Sequence, residues 1–401
     1  MSAGVPRRWL LTLAALSALA TLSSNILLPS LPAMASELKA GDAGVTAVLS
    51  LFLAVFAGSQ LIVGPLSDRI GRRPVVLGGL AAFIAGTLLC ATAPDLGLLL
   101  GGRAVQAAGV AAASVLARAA ARDRFEGPQL AGLLGSIMVV MAAAPGFSPL
   151  LGGLVQQAFG WRAVFGVLLV ASVAVGLAYV RIVGETLPPS LRRRQPVGAV
   201  ALGYVALARD GRFVRPALAV AAIMGALFAF FAATPVVLSR DFGLGALQVG
   251  SFFAATVFVV FAAGRLAPRW AQRLGSAAVL RRAVWLAALG GVLMLAAGTL
   301  GLRLGLAGFA VPACVFLLGM GLAMPVGTAA ALTPFAAQAG QASALLGFLQ
   351  MAAAAVGTGV VAALPMPRAT ALAAVMLAAA VVAAFSLGRA ARASAIASAA
   401  R

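Results

Sequence analysis

The sequence predicts an all-α membrane protein in which 12 transmembrane helices form two pseudo-symmetric six-helix bundles. Three observations predict it: an apolar composition, long apolar runs that recur along the chain, and a charge pattern that repeats between the two halves. Of 401 residues, 63% are hydrophobic and 9% are charged, and the mean hydropathy is +1.08. A fold of this size in water would need far more polar surface to cover its core.

The apolar runs each have the length that a transmembrane helix requires. A hydrocarbon core of about 30 Å takes about 20 residues of helix to cross. The runs are rich in alanine, leucine, glycine and valine, and they are too long and too uniform for the strands of a barrel. The predicted spans cover about residues 9–31, 43–65, 74–93, 96–117, 131–155, 162–183, 214–238, 247–266, 280–300, 305–327, 341–363 and 369–388.

The basic residues are distributed unevenly between the two sides of these spans. With the N-terminus in the cytoplasm, most of the 29 lysines and arginines fall on the inner side. This bias follows the positive-inside rule, and it predicts a membrane protein with both termini in the cytoplasm. It also accounts for the net charge of +20 without a nucleic-acid partner. The basic residues expected outside are Lys39, Arg162, Arg240, Arg303 and Arg368.

The N-terminal stretch "PRRWLLTLAALSALA" has two interpretations. It has the basic head, apolar stretch and small-residue end of a secretory signal. Because the apolar stretch continues to about residue 31, we interpret it as the first transmembrane helix. Cys90 and Cys314 both lie in predicted spans, so no disulfide framework is expected. The chain contains no histidine, which excludes histidine metal sites and a histidine proton relay.

The longest polar stretch, which starts at "GETLPPSLRRRQP", divides the chain into halves. We predict an N-terminal bundle over 1–184, a cytoplasmic linker over 185–213 along the membrane surface, and a C-terminal bundle over 214–401. The halves echo each other, because "GPLSDRIGRR" begins at Gly64 after the second span and "GRLAPRWAQR" begins at Gly264 after the eighth. A parallel repeat of this kind is typical of transporters that rock two halves about a central site.

The stretch "GPLSDRIGRRP" concentrates three arginines and one acid in the turn between the second and third spans. Its glycines permit a tight turn and close helix approach. Its aspartate can accept from donors at a helix N-terminus, and its arginines can pair with acids. We predict a latch at the inner helix ends, since a plain positive-inside loop would leave the acid and the glycines unexplained. The latch residues are Gly64, Asp68, Arg69, Gly71, Arg72 and Arg73, together with Asp123 after the fourth span.

This stretch resembles the signature motif of the major facilitator superfamily at every defining position. "RAVQAAG" (103–109) resembles the fourth-span motif of the drug:proton antiporters, with Ala107 in place of the usual glycine. "SPLLGG" (148–153) is similar to their fifth-span motif, with Ser148 in place of the first glycine. "LPSLPAMA", "FAATPVVL" and "GQASALLGFLQM" resemble the bicyclomycin-resistance branch of that group. The resemblance covers almost the whole chain and implies the major facilitator fold.

Arg103 is the most informative single residue. An arginine inside a span costs about 2.5 kcal/mol or more on insertion scales, so we expect it to face the bundle interior or a water-filled cavity. Gln106 shares its helix face. The alternative is an arginine that extends to the lipid headgroups, since Gly101 and Gly102 lie close to the expected membrane boundary. The resemblance implies a role for this arginine in substrate response and proton coupling.

The resemblance also implies an aspartate in the first span, where this chain has Asn25. An amide cannot titrate, and all nine acids of the chain fall in loops or at span ends. Coupling to protons therefore uses a boundary acid such as Asp42 or Asp123, or it is absent. For Asn25 itself, substrate contact and interhelical hydrogen bonding are equally open.

The fifth span combines prolines with small residues, which suits a helix that packs tightly against its repeat partner and shapes the cavity. Generic small-residue packing is the alternative. The residues of this antiporter-motif helix are Pro145, Pro149, Gly152 and Gly153.

Polar, aromatic and methionine side chains in the middle of other spans predict a substrate cavity. A cavity of this composition suits bulky, amphipathic and varied ligands, although each aromatic or methionine alone more often packs against protein or lipid. The cavity residues are Asn25, Gln60, Arg103, Gln106, Met138, Met141, Phe228, Phe231, Thr234, Thr256 and Gln350.

These features together predict a secondary transporter rather than an enzyme. It would export small drug-like or amphipathic molecules through the bilayer by alternating access and proton antiport, with no cofactor and no obligate protein partner. No phosphate-binding loop is present, so ATP is not the expected energy source. An uncoupled facilitator or uptake carrier of the same fold is the first alternative, and a membrane sensor or scaffold is the second.

Overall fold

The computed structural model describes residues 5–192, 196–299 and 305–399, and α-helices dominate this part of the chain. The basic residues Arg193, Arg194, Arg303 and Arg401 lie outside the described residues. No strand occurs among the residues described. The helices are α1 (Arg7–Asn25), α2 (Leu31–Glu37), α3 (Gly41–Ile70), α4 (Arg72–Ala91), α5 (Leu96–Arg124), α6 (Gly127–Phe159), α7 (Trp161–Ala178), α8 (Val197–Arg209), α9 (Gly211–Arg240), α10 (Ala246–Leu274), α11 (Ser276–Thr299), α12 (Ala307–Leu332), α13 (Ala339–Ala363) and α14 (Arg368–Ala399).

Twelve stretches of this fold are long and apolar enough to cross a membrane, and their mean hydropathies range from 1.4 to 2.4. This confirms the predicted all-α membrane fold with 12 spans. The first predicted span is interrupted, because α1 ends at Asn25 and a short 3₁₀ turn, Leu28–Ser30, precedes α2. Pro29 and Pro32 lie in the first turns of these two segments. A proline has no N–H, and a first helical turn is where that N–H would have no partner.

The predicted linker contains a helix of its own. A 3₁₀ turn, Pro189–Leu191, precedes α8, which lies wholly within the predicted boundaries of 185–213. Asp210 then caps α9, since its carboxylate accepts from the backbone N–H of Arg212 at 2.8 Å. This helix is not predicted from the sequence, because the prolines and arginines of the segment are typical of loops.

The chain divides into two compact units. Unit 1 comprises Met1–Val200 and Gly245–Ala254, and unit 2 comprises Ala201–Leu244 and Ala255–Arg401. The start of α10 therefore belongs to unit 1. The bundle boundaries expected from the sequence stay a prediction.

In unit 1, α4 and α5 pack backbone to backbone. A methyl group at Gly86 would lie 2.5 Å from the backbone nitrogen of Gln106, and one at Gly109 would lie 2.5 Å from that of Phe83. Only glycine allows this approach, which fixes the height of α5 beside α4. In unit 2, α11 and α12 pack similarly, because a methyl at Gly290 would lie 2.6 Å from the backbone nitrogen of Phe316.

Prolines interrupt the hydrogen bonds of several long helices, among them α6 and α9. Pro145 and Pro149 lie inside α6, and Pro216 and Pro235 lie inside α9. Each proline removes one N–H from the helical ladder, which is tolerated in membrane helices where neighbours satisfy the freed carbonyl.

Candidate functional site

The turn between α3 and α4 is built on Gly71. Its φ is +106°, a conformation that L side chains rarely adopt. A methyl group there would also overlap the Glu185 carboxylate and lie 2.8 Å from the Arg192 guanidinium. Glycine is therefore required by the backbone conformation, in agreement with the predicted tight turn.

Arg72 connects the ends of α3, α4 and α5. Its Nε donates to Oδ2 of Asp123 at 3.0 Å, while Nη1 donates to Oδ1 of Asp68 at 2.5 Å and to Oγ of Ser67 at 2.6 Å. The side chain of Asp123 is 17% exposed and that of Asp68 is 45% exposed. Hydrogen bonds to charged groups contribute about 1.5–3 kcal/mol, whereas exposed ion pairs contribute about 0–1 kcal/mol. The bond to Asp123 is therefore the stronger one.

A second carboxylate completes this network from the segment after α7. Glu185 accepts from the backbone N–H of Arg72 at 2.9 Å and from that of Arg73 at 3.3 Å, so its charge lies at the N-terminus of α4. A helix N-terminus favours negative charge. Thr186 donates to Oδ2 of Asp123 at 2.9 Å. The sequence predicts that an acid accepts from donors at a helix N-terminus, but it assigns this role to Asp68. Glu185 belongs to the "GETLP" stretch, which could have indicated it.

The other predicted latch residues lie around this network. Arg73 is exposed, and its backbone rather than its guanidinium meets Glu185. Arg69 is half-buried in the last turn of α3. A methyl group at Gly64 would meet no heavy atom within 4 Å. No close contact forms at Gly64 among the described residues, and the helix approach expected there stays a prediction.

Arg103 lies inside unit 1, with 1% of its surface exposed. It donates to the carbonyl oxygen of Ser23 at 3.1 Å and to Oε1 of Gln106. Its guanidinium carbon lies 4.0 Å from the centroid of the Phe52 ring. The expected interior position is confirmed, and this burial contradicts the alternative in which the side chain extends to the headgroups.

The partners of Arg103 are neutral. Within the described residues no carboxylate forms an ion pair with it. Burial of a cation costs several kcal/mol. Two contacts together offset this cost: a charged hydrogen bond contributes about 1.5–3 kcal/mol, and a desolvated cation–π contact contributes about 2 kcal/mol. Gln106 in turn donates to Oγ1 of Thr87 at 2.8 Å, which connects α5 to α4.

Asn25, at the end of α1, is fully buried. Its Nδ2 donates to the carbonyl oxygen of Thr21 at 3.0 Å and to Oγ of Ser24 at 3.2 Å. Its Oδ1 has no hydrogen-bond partner among the described residues. An unpaired buried acceptor is costly, typically about 1–3 kcal/mol. The Asn25 side chain therefore keeps an unused hydrogen-bond acceptor inside unit 1.

The remaining residues of the predicted cavity belong to both units. Met138 is 59% exposed. Phe228 and Phe231 are buried, and their rings pack edge to face with centroids 5.4 Å apart. Thr234 is fully buried, and its hydroxyl has no hydrogen-bond partner within the described parts of the chain. Of the predicted set, Gln60, Met138 and Met141 lie in unit 1, whereas Phe228, Phe231, Thr234, Thr256 and Gln350 lie in unit 2.

The glycines of α6 contact other helices within unit 1 at backbone distance. A methyl group at Gly152 would overlap the carbonyl oxygen of Ile26, and one at Gly153 would lie 2.5 Å from the carbonyl oxygen of Ala246. A methyl at Gly250 of α10 would in turn lie 2.6 Å from the α6 backbone. Tight packing is as predicted, and within unit 1 the partners at these two glycines are the end of α1 and the start of α10, the eighth span. Packing of α6 against its repeat partner stays a prediction.

A charged cluster that the sequence reasoning missed lies at the other end of unit 1. Trp161 Nε1 donates to Oε2 of Glu37 at 2.5 Å, and Arg162 donates to the other carboxylate oxygen. Arg162 also donates to the carbonyl oxygen of Ala93 at 3.0 Å and lies over the Trp161 ring. Arg162 is one of the few basic residues expected outside, and this position was the only indication of the cluster in the sequence.

The nine acids all lie at helix ends or between helices, as predicted; the side chain of Asp42 is outside the described part. Cys90 and Cys314 lie in spans and are free. No cluster of metal-ligating side chains occurs in the described residues. The chemistry that these sites offer is charge pairing and hydrogen bonding, which can break and form again without covalent change.

Comparison with known proteins identifies a family over most of the chain. The family described as "Major Facilitator Superfamily" matches residues 13–358. Multidrug resistance protein D of Escherichia coli (strain K12) is 31% identical over 355 residues, which are 88% of this chain and 87% of the relative. A chloramphenicol resistance protein of Pseudomonas aeruginosa is 33% identical over 320 residues, which are 78% of this chain and 73% of the relative.

Solved structures show the same fold at lower identity. A crystal structure of the peptide transporter POT in complex with sulfate matches with a TM-score of 0.76 and 16% identity, covering 96% of this chain and 94% of the other. The human organic anion transporter MFSD10 (TETRAN) matches with a TM-score of 0.61 and 19% identity, covering 94% and 99% respectively. At these identities the likeness concerns the fold alone.

Proposed function

This chain belongs to the major facilitator superfamily, and we propose that it exports small drug-like or amphipathic compounds across the bacterial inner membrane. The observation that carries the proposal is the similarity to Multidrug resistance protein D, which extends over most of both chains. The relative named chloramphenicol resistance protein supports the same class of substrate. The backbone contacts of Gly152 and Gly153 support a place in the antiporter group.

In the proposed mechanism, the halves 1–184 and 214–401 alternate access to a central cavity, and 185–213 connects them. Arg103 and Gln106, both in the first half, line this cavity. Because the Arg103 guanidinium is bonded to neutral oxygens, its charge remains uncompensated within the described residues and attracts an anionic or carbonyl group of a ligand. Asn25 offers a carbonyl oxygen that has no partner among the described residues.

In the same proposal, the Arg72 network makes the inner end of the first half rigid. Its bonds join α3, α4, α5 and the segment after α7, all within unit 1. In this mechanism the second half closes the cytoplasmic side of the cavity against the inner end of the first half, which therefore has to be rigid. Asp123 is the boundary acid that we propose for coupling, because its Oδ2 accepts from both Arg72 and Thr186 and so joins two parts of this network.

We expect Arg103→Ala to abolish resistance in a pump-deleted bacterial host without lowering the amount of protein in the membrane. The change removes the guanidinium but leaves a helix former in α5. The measurement is a growth panel of toxic compounds that includes chloramphenicol, with immunoblots of membrane fractions. Arg124→Ala, which removes an exposed arginine from the last turn of the same helix, is the matched control. Full resistance with Arg103→Ala would remove Arg103 from the mechanism.

An uncoupled facilitator or uptake carrier is the second candidate function. It is favoured by the position of all nine acids at helix ends or between helices. Proteoliposomes that contain the purified chain separate the two candidates. Antiport predicts substrate uptake that rises several-fold when the lumen is acidified, because protons then leave in exchange. Equal uptake with and without the pH gradient would favour the facilitator.

A further inference from the structure

An open crevice lies in unit 2 between the first turns of α9 and the later part of α14. Its volume is about 500 Å³. Its apolar wall is well exposed, which is expected of a surface that meets acyl chains rather than water. The wall residues and their exposed fractions are Val381 (67%), Val382 (49%), Phe385 (61%) and Leu218 (38%).

Two arginines line the same crevice. Arg209 is the last residue of α8, and Arg215 lies in the second turn of α9. Neither has an ion pair or a side-chain hydrogen bond to any described residue. The lining contains no acid. The crevice therefore combines two uncompensated cations with an apolar wall.

Arg212 lies between these two arginines in the sequence but is already neutralised. Its guanidinium forms an ion pair with Asp210 at 2.8 Å, and its second contact is the ring of Phe335. The Arg212 side chain, and then its backbone N–H, lowers the pKa of Asp210 below the ordinary value. Arg212 borders a different cavity and does not line the crevice.

We propose that this crevice binds an anionic phospholipid, with the phosphate between Arg209 and Arg215 and an acyl chain against Val382 and Phe385. Basic pockets between transmembrane helices recognise anionic headgroups in this way. A lone arginine near a helix end would extend to the headgroups without selectivity. Two arginines that line one apolar crevice favour a headgroup with a net negative charge. A zwitterionic headgroup binds less tightly, because its amine offsets the charge of its phosphate.

The test uses the full chain, purified and delipidated in detergent, with bound lipid measured by native mass spectrometry. We expect phosphatidylglycerol to bind more tightly than phosphatidylcholine. A basic residue near an anionic lipid surface contributes about 1 kcal/mol, so Arg209→Ala and Arg215→Ala should each weaken phosphatidylglycerol binding about fivefold. Val382→Trp, which fills the crevice but keeps both charges, should also weaken it.

Arg212→Ala is the matched control, because it removes one arginine from the same segment but none from the crevice. It should leave lipid binding unchanged. The proposal is overturned if the double variant Arg209→Ala and Arg215→Ala binds phosphatidylglycerol as tightly as the parent does. It is also overturned if Arg212→Ala weakens phosphatidylglycerol binding as much as Arg209→Ala does. Glycerol phosphate that binds as tightly as the lipid would overturn it as well. Gel-filtration profiles without lipid establish that each variant is folded. Because no transport is measured, failure here and failure of the export proposal are distinguishable.

Discussion

At the scale of single residues, two buried guanidinium groups are stabilised by different partners. Arg72 is paired with Asp68 and Asp123, whereas Arg103 is bonded to carbonyl and amide oxygens and covers an aromatic ring. A carboxylate neutralises charge outright, while neutral oxygens only solvate it. Arg72 is therefore suited to hold helices together, and Arg103 retains an attraction for an incoming group.

We expect Arg72→Ala to lower the free energy of unfolding by about 1.5–3 kcal/mol. The reason is that hydrogen bonds to charged groups are lost and Asp123 keeps only its bond from Thr186. Thermal or denaturant unfolding of the purified protein measures the effect. Arg73→Ala, which removes the neighbouring exposed arginine, should stay within about 0.5 kcal/mol of the parent. An equal decrease in the free energy of unfolding in Arg72→Ala and Arg73→Ala would contradict the assigned role of Arg72.

Residue-level reasoning from the sequence succeeded where partners are close along the chain. Arg103 and Gln106 are three residues apart on one helix, so their contact follows from helical geometry. Thr87, Ser23 and Phe52 come from other helices, and no spacing rule connects them to Arg103. Glu185 was missed as a helix cap because it lies in a polar stretch that resembles an ordinary loop.

At the scale of elements, glycines determine which helices can touch. α6 presents Gly152 to the end of α1 and Gly153 to the start of α10, so two adjacent positions contact two different helices. The small residues predicted tight packing, but not the partners. Which helices meet depends on the arrangement of the whole bundle, which the composition of one helix does not contain.

We expect Gly152→Ala to lower the free energy of unfolding by about 1–3 kcal/mol, because the new methyl group would force α6 away from the carbonyl of Ile26. Gly135→Ala is the control on the same helix, where a methyl would meet no heavy atom within 4 Å. It should be neutral or stabilising by up to about 1 kcal/mol, since alanine is the better helix former. Unfolding of both purified variants checks this, and a stable Gly152→Ala protein would show that the contact is not tight.

At the scale of the whole molecule, the composition already determines the class of fold. Twelve apolar stretches of spanning length are visible in the sequence, because a bilayer accepts only segments that satisfy their own backbone hydrogen bonds. The lining of a cavity is different. It depends on the rotation of each helix, so exposed Met138 and buried Phe228 are alike as mid-span apolar residues in the sequence and differ in the structure.

We expect both termini of the chain to face the cytoplasm, because most of its basic residues then lie inside. Green fluorescent protein fused to the C-terminus should fluoresce, and alkaline phosphatase fused there should be inactive. A fusion of each reporter after Lys39, which is predicted to be outside, should give the opposite pattern. The same pattern at both sites would contradict the predicted topology.

The cluster at Glu37 has an optical consequence. The Trp161 indole is 3% exposed, donates to a carboxylate and lies beneath a guanidinium, and both charges influence its emission. The chain has four tryptophans, so a variant that keeps Trp161 alone would carry a native fluorophore at this end of unit 1. Its emission wavelength would then report, without any attached dye, whether the Glu37 carboxylate stays bonded to the Trp161 indole when a substrate is added.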